Sequence, residues 1–228
     1  MATTQVSAYT FTSGRDRPPL PRKVEFLLEQ IRTSVETINE HTFPNRSIWR
    51  GSRHTNIRRP IQAFQSKAIN NALRRGDFWT NIPTYEQRAR CSSCNHSPES
   101  LEHILLDCSH PTTERIWSLA KDLWPGTTTP WPTLSLGVLL GCGSLALPPS
   151  DDQPYPQGPS RLLRILLSES AHLIWVLRCE RVIHGTEHAI AAIETRSRNK
   201  IDQRIATFHK GKHFTRELIQ QTWTPQLI

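Results

Sequence analysis

Apolar residues recur at three- and four-residue spacing along most of this chain, and almost nowhere at spacing two. From Lys23, the residues Val24, Leu27, Leu28, Ile31, Val35 and Ile38 fall on one helical face, which ends near His41, ahead of Phe43-Pro44. Residues 45–55 break that rhythm and read as irregular, with Trp49 set among Arg46, Arg50 and Arg53. A second helix starts at Pro60, a favourable first-turn proline, and carries Ile61, Phe64, Ala68, Ala72 and Leu73 inward until Gly76. Asp77-Phe78-Trp79 then leads into a loop at Ile82-Pro83.

The second half repeats the helical period. Thr112 or Thr113 can cap a helix that turns Ile116, Trp117, Ala120, Leu123 and Trp124 inward and stops at Pro125-Gly126. Residues 134–140 form a short apolar segment, better as helix than strand, and residues 141–159, rich in Gly, Pro, Ser and Asp, read as an exposed loop. From Ser160 to about Ile183, Leu162, Leu163, Ile165, Leu166, Leu173, Ile174, Trp175 and Leu177 cover most of the circumference, and Gly185 supplies the stop. A helix apolar nearly all round is a central core helix. Another helix, residues 187–208, shows Ile190, Ile193, Ile201, Ile205 and Phe208, and a short one over residues 216–223 follows. The pattern predicts an all-α fold, an irregular helical bundle without internal repeats. Residues 1–22, Ser/Thr-rich and ending near Arg-Pro-Pro-Leu-Pro, read as a disordered tail.

Charge changes the picture more than bulk composition does. Residues 1–90 hold 15 Lys and Arg against 7 Asp and Glu, residues 91–195 hold 6 against 11, and residues 196–228 hold 7 against 2. Basic arms thus flank an acidic middle, a distribution suited to phosphate contacts or to solvated helix faces. The arginines that would contact nucleic acid are Arg46, Arg50, Arg53, Arg58, Arg59, Arg74 and Arg75, with Trp49 and Trp79 as stacking candidates or core anchors. Five cysteines, an odd number, argue against a disulfide framework and for an intracellular place, nuclear or cytoplasmic. No secretory signal is visible, and the longest apolar run, near Leu173 to Leu177, is too short for a bilayer. No membrane partner is therefore expected.

Cys91-Ser-Ser-Cys94, then eight residues, then His103-Ile-Leu-Leu-Asp-Cys108, is the most specific chemistry in the chain. Three thiolates and an imidazole make a complete tetrahedral set for zinc. Such a set is closed, so the ion is structural and contributes folding energy. His96 and His110 stand close enough in sequence to replace His103. Ser100 can cap a helix entered after Pro98-Glu99. On a regular helix His103 and Cys108 would lie about 500° apart at ~100° per residue, about 140° from a whole turn. Cys108 is therefore expected at or past the helix end, with Ile104, Leu105 and Leu106 packing on the body. Cys142 and Cys179 read as ordinary buried or loop residues. Glu169 and His172 stand at i, i+3 on the core helix, but a carboxylate-bridged metal pair needs a second such motif, which is missing. His172 is then a satisfied core polar group, and Glu169 a partner for Arg164, Arg178 or Arg181.

The run Phe78-Trp79-x-x-Ile82-Pro83-x-Tyr85-Glu86-x-Arg88-x-x-Cys91-x-x-Cys94, followed by Glu99-Ser100-x-Glu102-His103-Ile104-Leu105-Leu106-x-Cys108, resembles the reverse-transcriptase zinc-binding domain. That domain follows the polymerase and ribonuclease H regions of non-LTR retrotransposon polyproteins. Trp131-Pro132-x-Leu134-Ser135-Leu136-Gly137, Leu140-Gly141-Cys142-Gly143 and the stretch from Arg164 to Arg181 are similar to the tail of fungal-type copies, so the resemblance covers about residues 45–228. It implies Cys91, Cys94, His103 and Cys108 as zinc ligands. It implies reverse transcriptase or ribonuclease H domains as partners, and RNA or DNA as the nucleic acid. The family's catalytic groups do not carry over. No Tyr/Phe-x-Asp-Asp occurs, and before residue 45 only Asp16, Glu25, Glu29, Glu36 and Glu40 are acidic, in a tail and one helix. Two-metal chemistry needs ions held ~4 Å apart, which this arrangement does not offer. The expectation is a detached or degenerate piece of such a polyprotein, not an enzyme. It divides into a tail (1–22), an amphipathic helix (23–44), a zinc-binding helical module (45–135) and a C-terminal helical region (136–228). The runner-up is a structural or protein-interaction domain with no nucleic-acid affinity.

Overall fold

The computed structural model describes residues 19–125, 130–149 and 156–210. These residues are all-α, with no strand among them. Helix α1 (Arg22–Asn39) buries Val24, Leu28, Ile31 and Val35, the face its periodicity marked, and ends with Glu40 in the left-handed region. Helix α2 (Asn45–Gly51) occupies the stretch expected to be irregular. Ile48 and Gly51, three residues apart, bury one side, and Pro44 before it fixes an extended entry.

Helix α3 (Arg59–Ile69) starts as expected but stops seven residues before Gly76. Asn71 takes a positive φ of 52°, Ala72 N donates to Lys67 O and Asn71 N to Ala68 O. This double bond pattern is a Schellman stop, built on asparagine instead of glycine. A single turn, α4 (Asp77–Thr80), follows. Helix α5 (Pro111–Asp122) is capped by His110, whose Nδ1 accepts from Thr112 N at 3.2 Å, rather than by Thr112 or Thr113. Helix α6 (Leu136–Gly141) is capped by Ser135.

The stretch after α6 is not the exposed loop its composition suggests. Cys142, Leu145 and Leu147 are buried, Leu147 N is taken by Ser160 Oγ, and only residues 150–155 lie outside the described residues. A Cβ on Gly143 would stand 2.1 Å from Gly51 O, so the approach of this turn to α2 requires glycine there. Helix α7 (Gln157–His184) is the central element and carries Leu162, Leu163, Ile165, Leu166 and Leu167 fully into the core. Gly185, at φ 65°, ends it. Helix α8 (Ile190–Lys210) packs on α5 and α7 through Ile193 and Ile201. One hydrophobic cluster runs from Val24 to Ile201 and includes Leu101, Ile104 and Leu105 of the Cys/His segment. The helix expected over residues 216–223 lies outside the described residues, as does residues 1–18 of the expected disordered tail.

Candidate metal centre

Two local structures bring the four ligand residues together. Cys91 and Cys94 sit on a tight reversal: Cys91 N donates to His96 O, Asn95 N donates to Cys91 O, both at 2.9 Å, and Asn95 adopts φ 59°. Asparagine tolerates that left-handed geometry. Ser100 then opens the second structure, with its Oγ accepting from His103 N at 2.9 Å. From His103 to Asp107 the backbone is a π-helix, not an α-helix. Cys108 N donates to His103 O at 2.8 Å, an i→i+5 bond, and Cys108 itself turns extended. The wider turn places residue i+5 over residue i, which a regular helix would not do. Cys108 does stand at the helix end, as the rotation argument required.

The ligand atoms of Cys91, Cys94, His103 and Cys108 all lie within 4.8 Å of one another. Cys91 Sγ and Cys108 Sγ are 3.7 Å apart, far beyond the ~2.05 Å of a disulfide. Metal–sulfur bonds of ~2.3 Å at tetrahedral angles put two thiolates ~3.8 Å apart. Cys94 Sγ and His103 Nε2 are 3.2 Å apart, slightly inside the ~3.6 Å that the same geometry gives sulfur and nitrogen. All five cysteines are free of disulfides, and these four residues can hold a metal ion.

His96 and His110 do not join the cluster. The His96 ring stacks on His103, centroids 4.3 Å apart and nearly parallel, while His110 caps α5. Burial, helped by the Cys91 and Cys94 thiols, pushes the Cys108 thiol up to about 12 despite an opposing backbone hydrogen bond at His110. On the open side, the backbone at His96 holds Cys94 below its ordinary value. Burial, then the neighbouring His96, lowers His103, keeping it in the neutral form that ligates. A buried thiol that resists ionisation needs a cation beside it to become a thiolate.

What holds this centre to the core is not visible in the sequence pattern. Glu99, between the second cysteine and His103, forms a buried ion pair with Arg178 of α7, and both side chains are no more than 3% exposed. Arg181, one turn on, donates from Nε to Ser92 Oγ at 3.2 Å. Gly76 at φ 45° lets its backbone approach Glu99, since a Cβ there would meet Glu99 O at 2.6 Å. Trp117 of α5 donates from Nε1 to Leu105 O at 2.7 Å. Arg178 and Arg181, at i, i+3 on this mostly apolar helix, are the available signal, and Glu169 is not their partner. Glu169 instead binds Arg58, with Arg58 Nε donating to Oε1 at 2.7 Å, and Arg204 also approaches it. Nor is His172 a satisfied core polar group, because its Nδ1 is buried without a partner.

Among the arginines proposed for nucleic acid, Arg46, Arg50, Arg53, Arg59 and Arg74 are exposed. Arg46 and Arg50 share a face of α2 at i, i+4. Arg58 is drawn onto Glu169, and Arg75 is half-buried and bonded to Asn71. Trp49 packs against the core, whereas Trp79 lies outside the core cluster, its Nε1 donating to Arg74 O.

Comparison with protein-family models, with curated proteins and with solved structures gives no match. Among the described residues no helix is long and apolar enough to cross a membrane.

Proposed function

We propose that Cys91, Cys94, His103 and Cys108 bind a structural zinc ion in a module of the reverse-transcriptase zinc-binding type. In this reading the module assists nucleic-acid binding by a reverse transcriptase and ribonuclease H polyprotein inside the cell, and carries no catalytic group of its own. The observation that supports it most is the convergence of three sulfurs and one imidazole nitrogen within 4.8 Å. Sulfur-rich tetrahedral sets select zinc over the hard cations, and a filled set leaves no place for a reactive water. When bound, zinc supplies charge that stabilises the thiolates. The protein residues supply the rest: the Cys91–His96 reversal and the π-turn fix the ligands, and Glu99–Arg178 ties them to α7. Nucleic-acid contact is supported by the exposed Arg46, Arg50 and Arg53, in or just past α2.

Two measurements test this reading. The purified chain should contain about one zinc per molecule, lose it in Cys91→Ser, and melt at lower temperature after chelation. A chain that carries no zinc and melts unchanged with chelator sinks the metal assignment. Filter binding of RNA and of DNA at graded salt should show a negative log–log slope. The withdrawal of Arg58 and Arg75 into packing favours the second reading, an interaction domain, and absence of binding at ~50 mM salt would select it.

A further inference from the structure

A trough of about 700 Å³ lies between α3 and the C-terminal half of α7, and none of Cys91, Cys94, His103 and Cys108 lines it. On α3, Ala63, Phe64 and Lys67 face it, and on α7, His172, Trp175, Val176 and Cys179 do so at helical spacing. Its volume falls in the range of sites that hold small or extended ligands. Phe64 stands 5.7 Å from both the His172 and Trp175 rings, which makes an aromatic floor. Trp79 closes one side, with the Arg88 guanidinium 5.3 Å from its ring and 4.6 Å from that of Tyr85.

The charge of the lining decides what such a floor would accept. Lys67, Arg74 and Arg88 line the trough, and none forms an ion pair among the described residues. Arg178 is neutralised by Glu99. The single lining carboxylate, Glu180, is held by Arg196 through two bonds of 2.7 Å and by His188 at 2.8 Å. The lining thus presents three cations without a carboxylate partner among the described residues, beside the rings of Phe64, Trp79 and Trp175. An apolar peptide would use the rings and leave the cations unanswered. A chain of phosphates carrying flat bases answers both, because stacking on aromatic rings and phosphate contact to Lys and Arg are the two forces that hold unpaired strands.

We propose that the trough between α3 and α7 binds an unpaired stretch of nucleic acid, with bases against Trp79 and Trp175 and phosphates on Lys67, Arg74 and Arg88. The proposal rests on the nucleic-acid reading above and moves its centre from α2 to this trough.

The test uses the zinc-loaded full chain and labelled 12-residue oligo-dT and oligo-U, followed by fluorescence anisotropy and tryptophan emission at graded salt. Binding should quench tryptophan emission, and a duplex of equal length should compete poorly. The double variant Lys67→Glu, Arg88→Glu should bind about tenfold or more weaker, with a shallower salt slope, because two phosphate contacts are lost. Val176→Glu, which puts a carboxylate on the trough wall, should do the same while zinc content and helical circular dichroism stay at wild-type values. The dT and U arms report whether the sugar matters. Wild-type affinity in both trough variants, with loss in Arg46→Glu, Arg50→Glu, overturns the trough and keeps the nucleic-acid reading. Equal competition by duplex also overturns it, since paired bases cannot stack on the floor. No binding by the unaltered chain at ~50 mM salt overturns both.

Discussion

The His172 imidazole sits against Phe64, and burial, then the charges of Lys200 and Arg58, push its pKa down to about 4. The unfolded chain takes up that proton near pH 6.5, the folded chain only near 4. Below pH 6.5 the unfolded state therefore binds more protons, and stability declines as pH falls from about 6.5 toward 4, with no contribution above that window. His172→Gln removes this dependence. Urea unfolding of both proteins at pH 7.5 and pH 5 should show the variant gaining relative to the parent at pH 5. A difference that is the same at both pH values would mean the ring is hydrated in the folded state. The sequence placed His172 on the core helix but supplied it with a partner it lacks. Helical spacing says which way a side chain leaves its own helix; it does not say what another helix puts opposite. The four cysteine and histidine residues that converge are legible for the opposite reason. Their geometry is set within 18 residues, from Cys91 to Cys108, by local turns whose residue types are visible in the sequence.

Elements were read correctly where periodicity ran long, as in α1 and α7, and misread where a single residue set the boundary. Asn71 ended α3 in place of Gly76 because asparagine reaches the left-handed region at modest cost, and Gly76 was kept free for its approach to Glu99. The seven residues of α2 fell below the length at which periodicity can be seen. The π-turn was half legible: the rotation argument showed that a regular helix could not align His103 with Cys108, but not that the helix would widen to do so. That widened turn leaves Leu105 O to be satisfied by the Trp117 indole. Trp117→Phe keeps a smaller aromatic ring and loses the bond, so it should cost at least about 1–2 kcal/mol in denaturant unfolding. It should also weaken zinc retention in a competition with a chelating dye. Unchanged stability in Trp117→Phe would show that water replaces the indole at no cost. Gly143→Ala tests the other close approach. Its Cβ would meet backbone rather than a movable side chain, so a loss of roughly 2–3 kcal/mol is expected, typical of a forced core. Gly185→Ala meets nothing within 4 Å and strains only its own φ, so it should cost ~1 kcal/mol. Equal losses in the two variants, read from thermal melts, would contradict the close packing of α2 on the turn after α6.

At the scale of the whole molecule, the metal segment and the helical body share one core. Leu101, Ile104 and Leu105 belong to the same cluster as Ile31 and Leu166, so removing the ion should lower the stability of the entire described fold and not merely loosen a loop. The buried Glu99–Arg178 pair is the polar counterpart of that shared core, and it joins the centre of the Cys/His segment to the longest helix. Desolvating two charges consumes most of what their attraction returns, so the pair is not a strong net stabiliser. Removing one partner is a different matter, since it strands a charge in a site no more than 3% exposed. Arg178→Met alone should therefore cost about 3–5 kcal/mol, and Glu99→Leu alone a similar amount. The double variant should recover much of that loss, because neither charge is then left unpaired. Arg75 bears on the outcome: burial lowers its pKa, Asp77 and Glu99 oppose that, and Arg178 adds to it, so Glu99→Leu removes one of the two opposing carboxylates and should be the worse single change. Zinc content separates packing from coordination. If the pair serves to seat Glu99 beside the ligands, the double variant regains stability but holds zinc more weakly than the parent. A double variant as unstable as the sum of the singles would show that the two groups act independently, and that their pairing does not join α7 to the metal segment.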